Sequence, residues 1–280
     1  MLSVALSVRV LLSKAVVKTR VALFVLAGLA GGSLLRGDFV PVRYPEGVVR
    51  GFLVLRGPDG AVIADGDSIE FARGDRVTSR LVFHFRDGSL QDETTVFTQR
   101  GRFRLVRDRL VQRGPSFPGP MEVSIDAASG RVTVKYAEKG VEKFLDERMK
   151  LPPDLANGLP STLLKDLAPG VATTTFPMLV AAPKPRLVKL VVSRAGLETI
   201  SNGRQTYRVT RFNIHVDIGG VAGAVAPIVG KQPKDASVWI VGGDAPGFAK
   251  SESQFYEGGP LWTIELAGPQ YPREPAAGKP

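Results

Sequence analysis

Few residues in this chain of 280 could carry out catalytic or metal chemistry. There are two histidines, His84 and His215, and no cysteine, which excludes disulfides, thiolate metal sites and cysteine nucleophiles. Two histidines cannot supply a three-histidine metal site, and neither has neighbours at the spacing of metal ligands. We therefore expect no metal and no cofactor.

His215 is the better candidate for catalysis because Asp217 lies two residues further on, and alternate residues of a strand share a face. A carboxylate in that position could orient the imidazole, but no G-x-S-x-G nucleophile motif accompanies the pair. We predict that neither histidine is catalytic and that the protein is not an enzyme. A hydrolase is the least favoured alternative, and it would need polar groups that converge on His215 and Asp217 in a cleft.

The acidic residues do not form an obvious catalytic pair either. Asp92 and Glu93 are adjacent in sequence, as are Asp146 and Glu147. Neighbouring side chains of a strand point to opposite faces, so neither pair can flank a substrate. Partners that are distant in sequence stay open.

Six arginines lie close together, and in sequence order they are Arg100, Arg102, Arg104, Arg107, Arg109 and Arg113. In a regular strand the first three would face one side and the last three the other. Only Phe103 adds an aromatic ring, so the run favours a solvated face or a patch for anionic lipid head groups over nucleic-acid binding. With a net charge of +10, the expected partner is a lipid or an anionic membrane surface.

Turn signals divide most of the chain into short alternating segments. Asp87-Gly88, Ser129-Gly130 and Asn202-Gly203 are typical of hairpins, and they separate runs with apolar residues at every second position. The pattern predicts a mainly β protein, a single curved antiparallel sheet of about eleven or twelve strands that forms a half-barrel or open barrel. One or two short helices are expected, near residues 154–167 and 219–229.

The apolar residues of "RQTYRVTRFNIHVDI" change phase within one predicted strand. Tyr207 and Val209 are odd-numbered, whereas Phe212 and Ile214 are even-numbered. We expect a β-bulge near Thr210–Arg211 to bring both sets onto one face.

The N-terminus has the order of a secretory signal. Basic residues precede the uncharged run at 21–35, and small residues follow near its end. We expect residues 1–35 to be a signal peptide or an N-terminal membrane anchor, and 36–46 a linker. Residues 47–268 would form the β-rich domain and 269–280 a disordered tail. The predicted location is export to the periplasm or cell envelope, with anchoring through residues 21–35 as a variant.

The stretch "GGVAGAVAPIVGKQP", residues 219–233, is uncharged until Lys231. It could be a permanently buried connector, a mobile lid over an apolar cavity or a loop that touches the membrane. The lid hypothesis names Val225 and Ile228 as ligand contacts. The other candidate ligand-binding residues are Phe83, Phe85, Phe97, Trp239 and Trp262, which would serve equally well in a solid core.

Several phrases of the sequence carry a resemblance, namely "FRDGSLQDETTVFTQ", "QRGPSFPGP", "LPPDLANGL" and "VWIVGGDAPGFAKSE". They resemble a group of exported bacterial proteins of unknown function, over most of residues 45–268. The expected architecture is also similar to the lipoprotein-carrier type, in which a curved sheet holds an acyl chain under helices. The resemblance transfers no catalytic residue.

These observations favour a non-enzymatic exported envelope protein that binds an apolar or amphipathic, lipid-like ligand. The alternative is an assembly or interaction protein that acts through sheet edges, for which a filled core is expected.

Overall fold

The structure is a computed structural model, and it describes residues 39–138, 140–181, 184–201, 206–219 and 232–268. The first eight strands are β1 (Val48–Arg56), β2 (Val62–Arg73), β3 (Arg76–Phe85), β4 (Leu90–Thr98), β5 (Arg104–Arg113), β6 (Met121–Asp126), β7 (Arg131–Glu138) and β8 (Val141–Arg148). A helix and six strands follow: α1 (Pro160–Asp166), β9 (Thr173–Val180), β10 (Arg186–Ser201), β11 (Thr206–Asp217), β12 (Ala236–Val241), β13 (Gly247–Gln254) and β14 (Leu261–Leu266).

All fourteen strands form one antiparallel sheet in the order β8-β7-β6-β5-β4-β3-β2-β1-β14-β13-β12-β11-β10-β9. Two meanders, β1–β8 and β9–β14, meet where the last strand returns to pair with the first. Strands β8 and β9 are the two edges, and no ladder joins them within the described residues. The predicted single antiparallel sheet, barrel-like but open, is confirmed.

The sheet has fourteen strands rather than eleven or twelve because β2 and β8 were not recognised in the sequence. β2 contains Asp65, Gly66 and Asp67 near its start, which hide its alternation. β8 is an edge strand whose residues are mostly exposed and charged, so it has little apolar pattern to detect.

The sheet curls so that its two halves face one another across α1. The main core cluster contains Phe97 of β4 and Val132 of β7, and it also contains Phe176 of β9 and Val238 of β12. Leu163 of α1 belongs to the same cluster. Strands this far apart in one sheet share a core only if the sheet is strongly curved, so α1 lies on its concave side.

Polar contacts fix α1 and the segment before it. The side chain of Asn157 donates to the carbonyl of Leu179 in β9, and its own carbonyl oxygen accepts from Leu179 N–H, at 3.0 and 2.9 Å. At the other end of α1, Asp166 Oδ1 accepts from the backbone N–H groups of Arg43 and Tyr44, at 2.5 and 2.8 Å. The helix thereby holds both β9 and the chain segment that leads into β1.

A β-bulge in β5 changes where the arginine run points. The register shifts opposite Val96 and Phe97, which leaves Val106 as the extra residue. Arg104, Arg107 and Arg109 are therefore all exposed, on the outer face of the sheet. The expectation that Arg104 and Arg107 face opposite sides is wrong, because it assumed an unbroken strand.

The expected bulge in β11 is also placed differently. Its ladder with β12 is regular, and the register shift lies in the partner strand β10, between Arg194 and Gly196. Tyr207 and Val209 therefore stay on the face opposite to Phe212. Both faces of this strand are buried, one in the main core and the other in a small cluster around Trp239.

The helix expected near 154–167 is present as α1, whereas the one expected near 219–229 falls outside the described residues, apart from Gly219. Within the ranges given above, no helix combines the length and apolarity that a membrane crossing requires.

Gly158 sets how closely the start of the α1 region approaches the sheet. Its φ is +68°, and an added Cβ would lie 1.9 Å from Thr95 Oγ1 in β4. Gly74 has a similar φ of +61° but open space around it. We predict that Gly74→Ala lowers the free energy of unfolding by roughly 1 kcal/mol through backbone strain alone. Gly158→Ala should lower it by about 3 kcal/mol because overpacking adds to that strain.

Chemical denaturation of both variants measures the difference. Equal losses would show that the close approach of Gly158 to Thr95 does not constrain the fold.

Candidate functional site

A cavity of about 410 Å³ lies on the concave side of the sheet, against α1. Strands β1 to β4, β13 and β14 and the residues around α1 line it. The register explains why residues of several strands line the same cavity. Gly51 of β1 pairs with Ser68 of β2, which pairs with Leu81 of β3. Directly paired residues project to the same face, so one row of the sheet lines the cavity.

Part of the lining is apolar, formed by Leu53, Leu81, Phe248, Ile264 and Leu266. Leu53 and Ile264 also belong to a buried aromatic cluster next to the cavity. A packed core therefore supports this part of the wall, and burial of an apolar ligand surface against it would be favourable.

The rest of the lining includes the carboxyl groups of Glu46, Glu70 and Glu93. Glu70 of β2 is the direct register partner of Ser79 on β3, and Glu46 is close enough to influence its charge. Burial and, after it, repulsion from Glu46 raise the pKa of Glu70 to about 7. Glu70 therefore changes its charge near neutral pH.

Glu46 is held in place from two directions. Its backbone N–H donates to Gln99 Oε1 at 2.7 Å, and Gln99 Nε2 donates to the Glu46 carbonyl at 3.0 Å. Its side chain forms an ion pair with Lys165 of α1, and both side chains are largely buried. Removal of either partner would leave a buried unpaired charge, which is strongly unfavourable.

The next carboxyl groups are on β4 and β5, where Glu93 lines the cavity and Asp108 does not. Glu93 Oε1 is enclosed and has no hydrogen-bond partner within the described residues. Asp108, 1% exposed, accepts from Thr95 Oγ1 at 2.8 Å, but its Oδ2 likewise has no partner there. Burial raises the pKa of both groups, and the charge of Glu93 raises that of Asp108 further. This part of the site has acceptor atoms that are still available to a donor.

The carboxyl groups are not arranged as a metal centre. Across the part of the chain that the structure describes, no group of three or more His, Asp or Glu side chains is placed to hold a metal ion. Glu46, Glu70 and Glu93 together form the acidic wall of the cavity. This wall is better suited to a ligand that carries hydrogen-bond donors or a positive charge.

Three of the predicted ligand-binding residues come together, but in the core beside the cavity. Phe83, Phe85 and Trp262 are 0%, 6% and 6% exposed, and none of them lines the cavity. The ring centroids of Phe85 and Trp262 are 5.3 Å apart, and Phe83 lies 5.9 Å from Phe255. These rings fill space and support the cavity wall.

The remaining predicted residues are elsewhere. Phe97 is fully buried in the main core. Trp239 lies on the outer face, where its Nε1 donates to Glu198 Oε2 at 2.7 Å and Lys250 sits 4.8 Å from its ring centroid. Val225 and Ile228 fall outside the described residues.

The histidines do not contribute to this site. His84 is exposed and unrelated to the cavity. His215 is half-exposed, and its Nδ1 lies 2.7 Å from Asp235 Oδ1, while Asp217 Oδ1 accepts from the Gly219 backbone N–H at 2.9 Å.

Sequence reasoning missed the carboxyl groups of the cavity. The alternation rule correctly separates Asp92, which pairs with Arg80 on the outer face, from Glu93, which faces inward. Glu93 lies four residues before the apolar Phe97 and therefore on the same face of β4. An acidic residue on the face that carries Phe97 was the signal in the sequence that could have identified this site. Glu70 lies on the unrecognised strand β2.

Comparisons with known proteins give little beyond the architecture. No protein-family model matches the chain, and no curated protein does. Among solved structures there is a match to a protein from Brucella abortus described as a β-barrel-like protein of the domain of unknown function DUF1849. It is 12% identical, with a TM-score of 0.41, over 83% of this chain and 98% of that one.

At this level the match carries no argument about the site. The resemblance noted in the sequence and the export of the protein stay predictions.

We predict that Glu70 makes the protein less stable as the pH rises. Its pKa is about 7 in the folded protein and near 4.5 when unfolded, so between these values the folded state binds more protons. The free energy of unfolding then falls across this window, by on the order of 3 kcal/mol from this group. Glu70→Gln should be more stable than the wild type at pH 8 by a similar amount, and about equal to it at pH 4.5.

Chemical denaturation as a function of pH measures this effect. Glu142→Gln is the matched control because Glu142 is exposed on β8, and it should follow the wild type. A Glu70→Gln curve parallel to the wild type at every pH would contradict the assignment.

Proposed function

We propose that the protein is a non-enzymatic binding protein that holds a small amphipathic molecule in the cavity beneath α1. The observation that supports this most directly is the cavity itself, about 410 Å³ with one apolar and one acidic part. Its volume falls within the range of small-molecule sites, which combine an apolar wall with convergent polar groups.

The charges indicate which head group the ligand would have. Glu46, Glu70 and Glu93 line the cavity, and Lys165 is its single basic side chain within the described residues. Lys165 already pairs with Glu46. An ammonium or similar donor group of a ligand would therefore meet the carboxyl groups of Glu70 and Glu93, which are not paired with a cation in the cavity lining. We infer a lipid-like amine, or another apolar molecule with a cationic end.

The proposal places this binding at the cell envelope, as an exported protein. Its support is the basic-then-apolar order of residues 1–35 and the net charge of +10.

An interaction protein that acts through a sheet edge is the second candidate. The edge strand β8 exposes Val141 and Phe144, at 60% and 57%, which favours this alternative. Such a protein would not need an internal cavity, so a test of the cavity separates the two.

We predict that filling the cavity abolishes ligand binding while the fold is retained. Ser68 lines the cavity, and Thr78 on β3 is exposed on the outer face. Ser68→Phe should block the space, whereas Thr78→Phe adds the same ring outside it. The measurement is calorimetric titration with dodecylamine and with dodecanoic acid, beside thermal unfolding of each variant.

We expect wild type and Thr78→Phe to bind dodecylamine more tightly than dodecanoic acid, and Ser68→Phe to bind neither. Mass spectrometry of small molecules that co-purify from the native host then identifies the natural ligand. Wild-type protein that binds neither probe and carries no small molecule would favour the interaction protein instead.

A further inference from the structure

An exposed apolar patch lies on the outer face of β1 and β2, away from the cavity. Val48, Phe52, Ile69 and Phe71 are 75%, 58%, 40% and 43% exposed. They are neighbours because Val48 pairs with Phe71, and Ile69 pairs with Arg50, which lies between Val48 and Phe52. Large apolar side chains clustered on a surface mark an interaction site more often than single ones do. We call these four residues, with Arg50 and Arg73, the outer patch.

The two arginines of the outer patch cover its aromatic rings. The guanidinium carbon of Arg50 lies 5.0 Å from the ring centroid of Phe52, and that of Arg73 lies 5.2 Å from Phe71. Arginines mixed with aromatic rings suit the interface of a bilayer, where the rings reach the acyl boundary and the cations meet head groups.

A row of arginines continues the patch across the sheet. Arg73 pairs with Arg76, Arg76 with Thr98, and Thr98 with Arg104. The three arginines are exposed on the same face, and none of them forms an ion pair with the described part of the chain. This end of the outer face therefore presents concentrated positive charge, which complements an anionic surface.

The N-terminal side of the chain leads to the same end of the sheet. Phe39, the first described residue, lies under Arg102, whose guanidinium carbon is 4.4 Å from its ring centroid. Pro41 forms a bridge with Arg102, next to the start of β5. The apolar run at residues 21–35 ends only a few residues before Phe39.

We propose that the outer patch docks the protein onto an anionic lipid bilayer. The apolar residues supply insertion, and the arginine row supplies attraction to head groups. This inference does not depend on the cavity being occupied.

The absence of cysteine from the chain allows a direct test. In the full chain, Phe52→Cys is labelled with an environment-sensitive NBD fluorophore, and Phe144→Cys on β8 is the matched control. With vesicles of phosphatidylglycerol and phosphatidylcholine, we expect a blue shift and a several-fold rise in emission at position 52 and neither at position 144. Because each probe reports its own surroundings, binding through residues 21–35 alone leaves both unchanged.

Removing the charges should weaken docking. In the labelled Phe52→Cys protein, Arg73→Ser with Arg76→Ser should raise the vesicle concentration for half-maximal change roughly thirtyfold, or about 2 kcal/mol. The shift should also decrease at high salt.

An unchanged probe at position 52 while the protein sediments with vesicles would overturn the proposal. A shift with single-stranded RNA but none with vesicles would overturn it as well.

Discussion

The ion pair between Lys165 of α1 and Glu46 is the contact on which the candidate site most depends. Together with Asp166, which binds the backbone of Arg43 and Tyr44, it attaches the helix to the segment that leads into β1. The same helix region is bonded to β9 at the far edge of the sheet through Asn157. The helix thus spans the concave side, and a space remains beneath it. A buried ion pair of this kind fixes geometry more than it adds stability.

The acidic lining is costly for the fold, and the proposed function gives it a purpose. Burial raises the pKa values of Glu70 and Glu93, which means that their ionised forms are unfavourable where they lie. A core of this size could have used leucine at these positions. Under our proposal, the positive end of a ligand offsets that cost, and the aromatic rings next to the cavity keep its apolar wall rigid.

The sequence was sufficient for the architecture because turns and alternation are local signals. Asp87-Gly88 and Ser129-Gly130 mark hairpins that the structure contains, and the single antiparallel sheet follows from them. The site was not predictable in the same way. Glu46 and Lys165 are separated by 119 residues, and only the three-dimensional fold pairs them. In "SVWIV" both faces of the strand are apolar, so no pattern could place Trp239 on the outer face.

The affinity of the wild-type protein for dodecylamine at pH 5.5 and at pH 8 tests the central claim most directly. The amine stays charged throughout, while Glu70, with a pKa of about 7, changes from neutral to ionised. Our account predicts that binding tightens several-fold as the pH rises, and that Glu70→Gln removes most of this dependence. Affinity that is independent of pH, or equally pH-dependent in Glu70→Gln, would contradict recognition of a cation by the acidic wall.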